Sequence, residues 1–133
     1  MSYVVLDTDV ASMSFRGQVP PRLLAQLADA PTCITFVILA ELTQWAVQRG
    51  WGASNRARLE HWLSGVVVLP GNETVAHVWG EIAAYARLRG RPRPQNDTWI
   101  AATCLAHELP LATLNVKDFS DFADHEGLPI ITA

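Results

Sequence analysis

The clue to the fold class lies in Tyr3-Val4-Val5-Leu6-Asp7-Thr8-Asp9. An apolar, β-branched run stops abruptly at an acid-threonine-acid turn. A short continuous run of this kind fits a strand buried on both faces, as in parallel sheets. Residues 3–6 are therefore read as the first strand. Three further runs have the same character, Thr32–Thr35, Val66–Leu69 and Leu111–Thr113, and Pro129–Thr132 supplies a fifth. Helix-like segments fall between them. One runs from Pro20 or Pro21 to about Ala28, with proline at its first turn. Another runs from about Val37 to Arg49 and is ended by Gly50. A third is capped by Ser54 and reaches about Ser64. Asn72 caps a long helix to about Leu88, in which Val75, Val78, Trp79, Ile82 and Ala86 recur at helical spacing. A last one starts at Asn96 or Asp97 and ends near His107. Strands alternating with helices predict an α/β fold, with a central parallel sheet of about five strands covered on both faces.

A chain of 133 residues, half hydrophobic and about a sixth charged, has the composition of one globular domain with a real core. No run approaches bilayer-spanning length. The N-terminal residues read as a strand, with no basic leader or cleavage site, which points to a cytoplasmic chain without a membrane segment. Cys33 and Cys104 are too few and too far apart for a disulfide framework or zinc cluster.

Four acidic residues lie where folding alone explains them poorly. Asp7 follows the first strand, and Glu41 interrupts the apolar run 34–40. Asp97 opens a helix-like stretch, and Asp118 follows the fourth strand by a few residues. A lone carboxylate in apolar surroundings costs several kcal/mol or takes up a proton. Convergent carboxylates repel one another unless a hard cation joins them. In parallel α/β sheets ligands gather beyond the carboxyl ends of the strands. Asp7, Asn115 and Asp118 lie at that end, and helices can bring Glu41 and Asp97 to it. The pattern predicts a hydrolytic Mg²⁺ site, Mn²⁺ being able to substitute. Asp7 and Asp97 are the direct ligands in this reading. Glu41 ligates through water or orients the nucleophile, and Asp118 supports a second ion or the outer shell. Thr8, Thr113 and Asn115 hydrogen-bond the carboxylates or the substrate.

Each residue also has a plainer reading. Asp7 or Asp9 can cap a following helix, Asn96 or Asp97 can do the same, and Asp118 can close a turn over 115–118. Glu41 is hardest to dismiss, because it lies between Ile38 and Trp45 on an apolar helix face. His61, His77, His107 and His125 show no metal-ligand spacing. Most of the five tryptophans read as core, although Trp51, near a helix end, also suits a partner interface. The net charge of −3 does not advertise nucleic-acid binding. Yet Arg87, Arg89, Arg91 and Arg93 cluster just before Asp97, and such a run can grip phosphate as well as decorate a solvated helix end. Arg89 and Arg91 are taken as substrate-binding candidates.

The motifs VVLDTDVAS (4–12), TFVILAELTQWA (35–46), NDTWIAATCLAHELPLATLN (96–115) and VKDF (116–119), in this order, resemble a PIN-domain protein. The similarity is to the VapC-like toxins of bacterial toxin–antitoxin pairs. It implies a single PIN domain over 1–133, with an α/β/α sandwich fold. It also implies a Mg²⁺- or Mn²⁺-dependent endoribonuclease, inhibited by a VapB-like antitoxin and usually a homodimer. By resemblance Asp7, Glu41 and Asp97 match the acidic triad, and Asp118 the acid of the Asn-x-x-Asp-Phe ending. Two departures stand out. Asp9 replaces the asparagine common in the family's Asp-Thr-Asn motif, and Asn115 stands where some relatives carry aspartate, which leaves one or two metal ions open.

Two rivals remain on the sequence. Leu6-Asp7-Thr8-Asp9-Val10 also fits the Asp-x-Asp turn of a haloacid-dehalogenase-like phosphatase, with Asp7 as nucleophile and Asp9 as acid/base. That chemistry needs a placed lysine, and Lys117 is the only one in the chain. The other rival is a catalytically silent PIN-like module that binds RNA or antitoxin.

Overall fold

The computed structural model describes residues 2–133. Five strands form one sheet: β1 (Val4–Leu6), β2 (Thr32–Thr35), β3 (Val67–Leu69), β4 (Leu111–Ala112) and β5 (Ile130–Ile131). Every neighbouring pair is parallel, in the order β3-β2-β1-β4-β5. Val4, Val5 and Leu6 are all buried although successive side chains point to opposite faces. Both faces of the central strand are thus covered, and the fold is the expected α/β/α arrangement. Topology places β1 as the branch point. The chain leaves it toward β2 and β3, then crosses back to lay β4 and β5 on its other side.

Seven helices make the connections: α1 (Thr8–Arg16), α2 (Pro21–Leu27), α3 (Phe36–Gln48), α4 (Ala53–Ser64), α5 (Glu73–Leu88), α6 (Gln95–Ala106) and α7 (Val116–Glu126). Among the described residues side-chain caps start three of them, the first being Asp7, which accepts from Thr8 N at the start of α1. Thr35 Oγ1 accepts from Ile38 N at 3.2 Å, and Asn72 Oδ1 from Val75 N at 3.0 Å. The core is the sheet's buried Val4, Val5, Leu6, Cys33, Ile34 and Leu111 against Ile38, Leu42, Ile100, Phe119 and Phe122 of the helices. On the α5–α6 seam Trp79 stacks on Trp99, with ring centres 4.9 Å apart. Cys33 and Cys104 are buried free thiols, and burial pushes Cys33 up to about 11, so neither is a thiolate at neutral pH.

The structure corrects several local readings. Residues 7–9 are not an isolated acidic turn but the start of a helix. α1 begins at Thr8 and runs to Arg16, where Gly17 at φ 68° ends it. Ser54 is no cap, since α4 starts at Ala53 after Gly52 with no side-chain cap bond. α6 starts at Gln95, so neither Asn96 nor Asp97 is its cap. Residues 115–118 do not form an isolated turn but open α7, whose Phe119 and Phe122 fill the core at i, i+3 spacing.

The arginine run is also split by folding. Arg93 is buried, its Nε donating to Asp121 Oδ2 at 2.7 Å and its Nη2 to the Asp121 carbonyl at 3.2 Å. The same Nη2 lies 2.7 Å from Glu126 Oε1, a charge pair without hydrogen-bond alignment, and the guanidinium covers the Phe122 ring at 4.1 Å. These contacts tie α7 to the loop that leads into α6. Truncating Arg93 would strand the nearly buried Glu126 carboxylate without its cation. Arg93→Ala is expected to lower stability by about 3 kcal/mol, read as a lower urea midpoint at unchanged slope. An unchanged midpoint would mean that the clamp contributes nothing.

Candidate active site

β1 and β4 are neighbours that the chain leaves in different directions, so the ends of these strands open a crevice at the point where the strand order reverses. Asp7 follows β1 directly and is 5 % exposed. Its Oδ1 accepts from Thr8 N at 2.8 Å and its Oδ2 from Thr113 Oγ1 at 2.7 Å. Thr113, the first residue after β4, is itself buried, and its Oγ1 also accepts from Asn115 N at 2.9 Å. Asp7 thus caps α1 and is at the same time fastened to the next strand. Burial is the main cause that raises its carboxyl to about 7; the nearby Asp9 and Glu41 charges add to this, while the Thr113 and Thr8 hydrogen bonds oppose it.

Glu41 projects from the second turn of α3. Its Oε1 accepts from Thr8 Oγ1 at 2.5 Å and its Oε2 from the Asn96 amide at 3.4 Å. Asp97 stands in the first turn of α6, half-buried and without a hydrogen bond among the described residues. Burial, then the Asp118 and Glu41 charges, raise its carboxyl to about 6. Asp118, exposed in the first turn of α7, is therefore close enough to act on Asp97. All four acids named from the sequence meet at this end of the sheet. Thr8 and Thr113 hold carboxylates, whereas the Asn115 side chain is exposed and makes no internal bond.

Arg89 Nη2 lies 3.8 Å from Asp121 Oδ2 on α7, while Arg91 is exposed. Two residues that the sequence offers only as caps or motif variants also make site contacts. Asn96 steadies Glu41. Asp9 accepts from Val10 N at 2.7 Å and from Leu114 N at 3.2 Å, clasping the segment after β4. Asn96 had looked like a helix cap, and only the tertiary fold brings Leu114 to Asp9.

The donor set is all oxygen, its four carboxylates stand on helices or directly after a strand, and two of them are driven toward protonation by burial and mutual repulsion. A hard divalent ion suits it, since Mg²⁺ takes one or two carboxylates and completes its octahedron with waters and substrate phosphates. Among the described residues no group of three or more Asp, Glu, His or Cys side chains stands close enough together to hold a metal ion.

The PIN domain profile matches residues 4–125. The chain belongs to the PIN-domain family. It is 30% identical over 126 residues to a protein named Ribonuclease VapC1 from Haemophilus influenzae (strain R2866), spanning 90% of this chain and 92% of that one. It is likewise 30% identical over 120 residues to Ribonuclease VapC19 of Mycobacterium tuberculosis, over 90% and 94% of the two chains. Among solved structures, VapBC-1 from nontypeable Haemophilus influenzae superposes with TM-score 0.76 at 27% identity, covering 99% and 98%. A chain of VapBC2 from Rickettsia felis, bound to a promoter DNA fragment, gives TM-score 0.82 over 98% of both chains, and at 21% identity it speaks for the fold alone. This PIN-domain chain has, among its described residues, no helix long and apolar enough to cross a membrane.

Asp7 in the native chain ionises near 7, in the unfolded chain near the ordinary 3.8. Between these values the folded state holds the extra proton, so metal-free stability falls as pH rises across the window. Asp97, raised to about 6, acts in the same sense. EDTA-treated protein is expected to melt higher at about pH 5 than at about pH 8. Mg²⁺ should narrow the gap by binding only the native site, and Asp7→Asn should flatten it. A Tm independent of pH would show that these acids carry no such strain.

Proposed function

We propose that this PIN-domain chain is the toxin of a VapBC-type toxin–antitoxin pair, a Mg²⁺-dependent endoribonuclease that hydrolyses RNA phosphodiester bonds and also accepts Mn²⁺. The observation that carries the reading is the meeting of Asp7, Glu41, Asp97 and Asp118 at the β1/β4 crevice, with burial and like charge raising two of them. Relatives named ribonucleases along nearly the whole chain support the substrate class. Neighbouring structures of VapBC pairs support a VapB-like antitoxin as partner. The reading also includes a homodimer acting in the cytoplasm as one PIN domain.

In this mechanism Asp7 and Asp97 would hold the metal ion by their carboxylates. When bound, such an ion supplies Lewis acidity toward a phosphoryl oxygen and makes a water easier to deprotonate. Glu41, fixed by Thr8 and Asn96, orients the attacking water in line with the leaving oxygen. Asp118 adds negative charge at the exposed side, as an outer ligand or as support for a second ion. Thr113 keeps Asp7 in its rotamer, and Thr8 and Asn115 lie where substrate passes. Arg91, and Arg89 when released from Asp121, would attract the RNA backbone. The phosphatase alternative loses ground, because both oxygens of Asp9 are engaged by backbone amides instead of facing a substrate.

Total cellular RNA incubated with antitoxin-free protein should yield discrete fragments with Mg²⁺ or Mn²⁺ and none with EDTA. Asp97→Asn, Asp7→Asn and Glu41→Gln should each reduce cleavage by more than about a hundredfold, and Thr113→Val by roughly ten- to a hundredfold. Cleavage surviving in EDTA or in Asp97→Asn would overturn the site assignment, and folded wild type that binds RNA without cutting it would leave a silent binding module. Replacing Arg89 and Arg91 by glutamine should weaken RNA binding and flatten its salt dependence; unchanged affinity would remove them from the binding surface.

A further inference from the structure

Beside the acids lies a cleft of about 370 Å³ lined by Thr8, Asp9, Ser12, Leu42, Trp45 and Asn115. It is continuous with the candidate active site, because Thr8 holds Glu41 and Asn115 bonds to Thr113, the partner of Asp7. Its wall is the half-buried Trp45 on α3, braced edge-on by Trp51 with ring centres 4.7 Å apart; Trp51 in turn meets Phe15 of α1 at 5.8 Å. Two exposed cations rest on the same indole, Arg49 at 5.4 Å and Arg16 at 6.0 Å from its centre. In sequence these two arginines are far apart and unremarked. Folding alone sets them together over one aromatic ring.

We propose that this cleft is a nucleotide subsite, holding the base next to the scissile phosphate while Arg16 and Arg49 grip the backbone phosphate that follows. The inference rests on the ribonuclease reading and deepens it by assigning where the single strand runs. The cleft also carries the Asp9 carboxylate, which is held by Val10 N and Leu114 N and repels phosphate, so the base edge is left to other groups. Ser12 and Asn115 contribute a hydroxyl and an amide whose side chains make no internal hydrogen bond among the described residues. An unstacked base has a π face for the aromatic and guanidinium wall and polar edges for these groups, which is how proteins take up single-stranded RNA. A duplex base, stacked and paired, offers neither. The cation pair also answers an electrostatic problem, since a chain of net charge −3 with clustered acids must still attract a polyanion.

The test is binding of a fluorescein-labelled single-stranded RNA oligonucleotide to Asp97→Asn protein in Mg²⁺, titrated across salt concentrations. Arg16→Gln together with Arg49→Gln, both exposed, should flatten the plot of log affinity against log salt by about 0.7, the effect of one lost single-strand phosphate contact. Trp45→Leu should weaken binding roughly five- to a hundredfold, and Trp45→Phe should restore most of it, which separates loss of the ring from loss of fold. A matched duplex should bind no better to wild type than to the variants. Unchanged slope and affinity in the arginine pair would overturn the subsite and leave the cleft to a protein partner. Because binding is read apart from cleavage, that result would leave the nuclease reading standing, whereas metal-dependent cleavage missing from wild type would remove the reading beneath it.

Discussion

A carboxylate cannot be kept between two parallel strands unless something holds it, and here the Thr113 hydroxyl does so. Its 2.7 Å hydrogen bond to Asp7 spans 106 positions of sequence and joins the ends of β1 and β4. Those strands are neighbours only because the chain returns from β3 across the sheet. Thr113 also accepts from Asn115 N, so the same hydroxyl shapes the entry to α7 and hence the placement of Asp118. Removing this one contact would free Asp7, unsettle the β4–α7 turn and change the spacing of the acids together.

The rest of the crevice follows from helix starts. Glu41 and Asp97 project from α3 and α6, and Asp118 from α7, each from an early turn. Backbone N–H groups there favour anions modestly, yet burial and mutual repulsion win for Asp97, whose carboxyl is raised. The balance leaves like charges close together in the crevice, with the Asp7 and Asp97 carboxyls both raised. Arg93, from the opposite side, fastens α7 to the loop before α6 and so fixes two of the acids relative to one another.

Much of this was legible in the residues. The five strands, their parallel arrangement and the long helices follow from apolar runs and caps such as Asn72. Glu41 was conspicuous because nothing in an apolar helix face explains a carboxylate. The misses have local causes. α7 was overlooked because Asn115-Val116-Lys117-Asp118 is polar and turn-like, while its helical signal, Phe119 and Phe122, comes later. α1 was hidden because Asp7-Thr8-Asp9 reads as a turn, although an Asp before a helix is also a capping residue. The four arginines look equivalent in a string, but only burial against Asp121, Glu126 and Phe122 distinguishes Arg93 from its exposed neighbours.

By itself, then, the sequence determined what depends on nearest neighbours and on periodicity: which runs are strands, which are helices, and which acids sit where burial makes them expensive. Tertiary structure decided which distant groups touch. It alone put Thr113 on Asp7, Thr8 and Asn96 on Glu41, Leu114 N on Asp9, and Arg16 with Arg49 over Trp45. The physical reason is that a hydrogen bond or a cation–π contact acts over a few ångströms. The chain separation of its partners carries no trace of it until the sheet order is set.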